Sequence, residues 1–130
     1  MFKLYNDTNA LEIDTEITHL CFYVEVLVFD DEENRCIARI QLKDGYVLSV
    51  AMGFGSYSSN RHIRDWNDEG NICEASTVEI AIIDINGSRR YIDKINGTVK
   101  ADVNPLQFLE IITILSTKGV ECGIDDLLDI

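Results

Sequence analysis

Strand-like alternation through most of the chain, turn residues at short intervals and one capped apolar helix near the C-terminus predict an α+β fold. The expected architecture is an antiparallel β-sheet of five to six strands with one C-terminal helix packed on a face. Three stretches carry the expectation: residues 35–52 read as a hairpin, residues 76–85 (STVEIAIIDI) are apolar on both faces, and residues 104–119 carry helix start and stop signals. At 130 residues with 46% hydrophobic content and one proline, the chain suits one domain, 1–130, with a core of its own.

In chain order, residues 2–5 read as a weak strand followed by a polar turn, NDTN. Leu11, Ile13 and Ile17 then alternate with acids, the pattern of an exposed edge, so residues 1–18 are expected to form an acidic extended arm. Residues 19–29 read as one long strand with Leu20, Phe22 and Val24 on one face and Cys21 and Tyr23 on the other. Apolar residues on both faces suggest a central strand, covered on two sides or across a homodimer contact.

Residues 30–34 form a charged turn, after which Cys36, Ala38, Ile40 and Leu42 alternate inward. A two-residue turn at Asp44-Gly45 would set Ile40 opposite Ser49. A three-residue loop, Lys43-Asp44-Gly45 with Gly45 left-handed, sets Ile40 opposite Leu48 and Ala38 opposite Val50. A one-residue slip would flip every side chain, so the apolar match selects the three-residue loop. Strand 46–52, a long loop at 53–75 and strand 76–85 follow. Turns at Asn86-Gly87 and Asn96-Gly97 bracket short strands at 90–95 and 98–103.

The helix has Asn104 as N-cap, Pro105 at its first position, Gln107 completing a capping-box pattern and Gly119 just past its end. The tail 120–130 is expected to be a short amphipathic turn.

The net charge of −12 is unevenly spread. Residues 1–34 hold nine acids against Lys3 alone, residues 35–118 balance, and the last twelve residues add Glu121, Asp125, Asp126 and Asp129. Direct nucleic-acid binding is disfavoured, because phosphate contacts need clustered Lys and Arg. A basic protein partner is favoured, with Asp30, Asp31, Glu32, Glu33, Asp125 and Asp126 as its contacts. No run reaches the ~18 apolar residues of a membrane span, and the N-terminus lacks the features of a secretory signal. A bacterial-type cytoplasm with reduced thiols is therefore expected.

Cys21, Cys36, Cys73 and Cys122 are scattered, without the close-spaced Cys or His pairs of a zinc site, so neither a metal nor a cofactor is expected. Cys21, Cys36 and Cys122 have apolar neighbours and read as core residues. His19 and His62 lack the context of a catalytic triad, and Gly53-Phe54-Gly55 lacks the Walker spacing, so no catalytic residue is assigned. The 53–75 loop gathers Tyr57, Ser59, Asn60, Arg61, His62, Arg64 and Trp66. Loops of this length are commonly functional, and this one could grip a partner or a small anionic ligand by guanidinium and aromatic contacts.

GYVLSV at 45–50, GFGSYSSNR at 53–61, TVEIAIID at 77–84 followed by Ile85-Asn86-Gly87, and the Val103-Asn104-Pro105 helix start resemble a family of small phage- and prophage-encoded proteins of uncharacterised function. The family pattern would place a cysteine at Ser58 and an aromatic at Ile83, and it does not include residues 1–34. The resemblance implies phage origin and an accessory role. With the charge map, it leads to the expectation of a non-enzymatic protein that inhibits a bacterial host protein, such as a defence nuclease, through an acidic, nucleic-acid-like surface. The alternatives are an immunity protein neutralising a basic toxin, and a sponge for a small anionic signalling nucleotide.

Overall fold

The computed structural model describes residues 1–5, 7–30, 35–62 and 72–130, with the backbone alone for 26–30. Its elements are β1 (Phe2–Tyr5), β2 (Ala10–Asp14), β3 (His19–Tyr23), β4 (Glu25–Asp30), β5 (Arg35–Gln41), β6 (Val47–Gly53), β7 (Ile72–Ala75), β8 (Val78–Ile83), β9 (Lys100–Val103) and α1 (Pro105–Leu127). The α+β class and the C-terminal helix are as expected, but two sheets replace the single one. One has four strands in the order β3-β2-β1-β7; the other has five in the order β4-β5-β6-β8-β9.

The two-sheet arrangement follows from a break in the stretch that reads as one long strand. At Val24 the chain leaves the four-stranded sheet and enters the five-stranded one. Val24 is buried, and its N–H donates to Asn9 O at 2.8 Å. β3 and β4 are therefore the edges of different sheets rather than one central strand. Leu20 and Phe22 lie opposite the buried Ile13 and Leu11, while Cys21 and Tyr23 point outward and are exposed.

Residues 1–14 are likewise no arm. β1 and β2 are interior strands, with Phe2, Leu4, Leu11 and Ile13 wholly buried, although Ile17 is exposed. Ile72–Ala75, expected as loop, is a strand against β1. Residues 90–95 form no strand and make only an isolated bridge at Asp93.

The hairpin register is the one the apolar match selects, with Ile40 opposite Leu48 and Ala38 opposite Val50. Its turn places both Asp44 and Gly45 at positive φ, 60° and 81°. A Cβ on Gly45 would lie 3.3 Å from the Ile85 side chain.

The apolar faces of both sheets and of α1 share one core. Phe108 sits edge-on to Phe2 and Phe22, with ring centroids 5.5 and 6.4 Å away. Asn104 caps α1 in a complete capping box: its Oδ1 accepts from Gln107 N at 2.9 Å, and Gln107 Oε1 accepts from Asn104 N at 3.0 Å. The Asn104→Ala change should lower unfolding free energy by about 1 kcal/mol, read as a lower urea midpoint at unchanged slope. Gly119, at φ 76°, interrupts the helical dihedrals where the stop signal stands. The tail then continues as a helical limb that buries Val120, Gly123 and Leu127, longer than the short turn expected. Among the described residues, no helix is long and apolar enough to cross a membrane.

Candidate functional site

Residues 53–62 occupy the corner where β6 leaves the five-stranded sheet and β7 runs in the other. Ser56, Ser58 and Asn60 are buried there, at 2%, 0% and 3% exposure. Buried polar groups are costly without partners, and each of these has them. Asn60 Oδ1 accepts from Gly53 N and from Ser58 Oγ, both at 2.7 Å, while its Nδ2 donates to Glu74 O at 2.9 Å and to Cys73 Sγ at 3.4 Å. Ser56 Oγ lies 2.7 Å from Gly53 O and 2.6 Å from Ser58 Oγ. The two hydroxyl protons can fill two of these three oxygen contacts at a time.

The exposed members of the same run anchor β8 and β9. Ser59 Oγ accepts from the N–H groups of Ser76 (2.8 Å) and Thr77 (3.2 Å). Tyr57 N donates to Glu79 Oε2 at 3.2 Å, and Tyr57 O accepts from Asp102 N at 2.9 Å. Arg61 donates to Ser58 O at 2.7 Å and forms an ion pair with Asp102, whose carboxylate also accepts from Thr77 Oγ1 at 3.2 Å. The GFGSYSSNR run is thus a polar clamp joining both sheets.

That geometry narrows the ligand chemistry available to the loop. Arg61 already faces a carboxylate, so an incoming phosphate would meet Asp102 there. What the corner offers outward is a shallow depression of about 270 Å³ lined by Phe54, Gly55, Ser56, Tyr57, Arg61 and His62. Tyr57 is half-exposed and His62 is exposed. Arg64 and Trp66 lie outside the described residues, as do Asp31, Glu32 and Glu33; of Asp30 only the backbone is described, pairing with Arg35.

The C-terminal acids are mostly engaged nearby. Glu121 accepts from Tyr46 Oη and from Arg90 Nη1, the latter at 2.8 Å. The Tyr46 hydroxyl and then Arg90 hold the Glu121 carboxyl below its ordinary value. Asp126 pairs with Lys118, and Asp129 with Lys94 at 2.9 Å. Asp125 is exposed and makes no ion pair among the described residues.

All four thiols are free, and Cys21 and Cys122 are exposed instead of belonging to the core. Their apolar sequence neighbours face the other way: Phe22 lies opposite Leu11, and Val120 and Gly123 are the buried positions of the tail. Cys36 and Cys73 are buried against each other from opposite sheets. Burial first, then the contact with Cys73, pushes the Cys36 thiol up, which keeps it protonated and unreactive.

Asp102, Glu79, Thr77 and Cys73 complete the clamp from distant parts of the chain; Thr77 and Glu79 fall in the TVEIAIID segment, but nothing in the sequence marks any of the four as a partner of the loop. The fold and the corner define a small two-sheet α+β protein with an internally satisfied polar clamp and an acidic surface. Comparison with family models, curated proteins and solved structures finds no match.

Proposed function

We propose that the chain is a non-enzymatic accessory protein of phage or prophage type that binds and inhibits a basic bacterial protein. The observation that carries this reading is the unbalanced charge of residues 1–34, nine acids against Lys3. Ion pairs with Lys118, Lys94 and Arg90 engage three of the four C-terminal acids, and the largest share of the net charge lies in residues 1–34. Such a field steers a basic partner and raises its association rate. A nuclease whose substrate groove is lined with Lys and Arg is the partner class that best fits this charge. The phage assignment rests on the resemblance of residues 45–118.

The anionic-nucleotide reading is the weaker one, because Asp102 already occupies Arg61. A basic toxin would use the same acidic surface as a host protein, and a toxin gene immediately upstream would separate the two cases.

The test begins with native mass spectrometry of the protein purified gently from its bacterial host, where a complex with one basic protein is expected. Neutralising Asp30, Asp31, Glu32 and Glu33 together should then slow association with that protein about tenfold at low salt and flatten its salt dependence. An unchanged on-rate would remove these residues from the interface. An adduct of nucleotide mass in place of a protein would overturn the inhibitor reading.

A further inference from the structure

The outer face of the four-stranded sheet brings together residues that are scattered in sequence. In the β2–β3 register, Asp14 is opposite His19 and Glu12 is opposite Cys21, which puts all four on one face of the sheet. His19 Nδ1 lies 3.4 Å from Asp14 Oδ1, and His19 Nε2 lies 4.0 Å from Glu12 Oε2. One ligand atom from each of Glu12, Asp14 and His19 falls within 4.8 Å of the others. Lys3, opposite Glu12 on β1, reaches instead toward Glu74 at 3.8 Å.

We infer that Glu12, Asp14 and His19 form a surface site for one divalent transition metal ion of the zinc, cobalt or nickel class. Ligands about 2.0–2.2 Å from a tetrahedral ion stand roughly 3.3 Å apart. The His19 Nδ1–Asp14 spacing already meets that distance; the 4.0 Å approach of Glu12 is to the other ring nitrogen, so Glu12 must turn toward the Nδ1 side to join them, from within the 4.8 Å that separates the three ligand atoms. Imidazole nitrogen beside carboxylate oxygen selects borderline transition ions over magnesium or calcium, which take oxygen sets. Glu12 and Asp14 set two carboxylates on the same face of β2, two residues apart, and a bound cation removes their repulsion. Solvent completes the coordination from the open side, since His19 and Asp14 are more than half exposed.

The experiment is isothermal titration of the full chain with zinc chloride, in a Cys21→Ser, Cys122→Ser background that removes the exposed thiols. One equivalent is expected to bind in the micromolar range, with no comparable heat from magnesium chloride. His19→Ala, and separately the pair Glu12→Gln with Asp14→Asn, should each weaken binding at least tenfold. Asp125→Asn should leave it unchanged. Circular dichroism checks that the variants stay folded. Equal zinc affinity in His19→Ala, or equal binding of magnesium, would overturn the site and reduce the cluster to a histidine paired with two acids.

Discussion

The Lys100→Met variant is expected to lose about 3–5 kcal/mol of stability at neutral pH, the cost of leaving one partner of a buried ion pair uncompensated. Lys100 is only 4% exposed. Its ammonium donates to Asp93 Oδ2 and to Ile130 O, both at 3.1 Å, so it fastens the tail to β9 and to the 93–97 turn. Asp93 Oδ1 also accepts from Ile95 N at 2.8 Å and from Asn96 N at 2.9 Å. Burial alone would raise the Asp93 carboxyl, but those backbone donors and Lys100 outweigh it and hold the group below its ordinary value.

The sign of the pH dependence follows. A depressed aspartate contributes its full stabilisation above its unfolded value of about 4, and loses it as pH falls through the lower folded value. In Lys100→Met the carboxyl rises, because only the two backbone donors oppose burial. Protonation then relieves the unpaired charge, so the gap to wild type should narrow below about pH 5. Adding Asp93→Asn to the variant should recover at least half of the loss at pH 7. Urea unfolding at pH 7 and pH 4 measures all three; a Lys100→Met loss under 1 kcal/mol that does not change with pH would contradict the account.

The Asn60→Ala variant should lose about 3–4 kcal/mol. Removing the amide strips its contacts from Gly53 N and Glu74 O, while the Ser58 hydroxyl keeps Ser56 Oγ as a partner, and each buried group left unsatisfied costs about 1–3 kcal/mol before local relaxation. Asn60→Asp gives a sharper signature. It keeps both acceptor contacts but cannot donate to Glu74 O while ionised, and it places a charge in a site 3% exposed. Its folded pKa is therefore raised. Its stability should be best below about pH 4, where the acid can donate, and should fall as pH rises through the folded value. A variant equally stable at pH 4 and pH 7 would show that the clamp is not closed around residue 60.

These expectations bear on any functional test of the GFGSYSSNR run. Ser56, Ser58, Asn60 and Arg61 hold the two sheets together, so loss of activity in their variants first reports on folding. Tyr57 and His62 face solvent from the same corner, and they are the positions where a binding defect can be separated from a stability defect.

Patterns confined to neighbouring residues were readable from the sequence alone. The α+β class, the helix cap at Asn104, the break at Gly119 and the Ile40–Leu48 register all depend on residues a few positions apart, or on one face of a hairpin. Tertiary structure decided what those patterns share with distant parts of the chain. Residues 19–29 read as one uninterrupted strand, yet the chain changes sheets at Val24, between its last bond to the β2 side at Asn9 O and the pairing with β5 that begins at Glu25. The acid-rich start of the chain resembles an exposed edge, but pairing on both sides puts β1 and β2 inside a sheet, which buries Phe2, Leu4, Leu11 and Ile13. Asn60 reads as a contact residue until Gly53, Cys73 and Glu74 close around it. Glu12, Asp14 and His19 meet only through the β2–β3 register, since antiparallel pairing sets side-chain neighbours by strand position and not by sequence spacing.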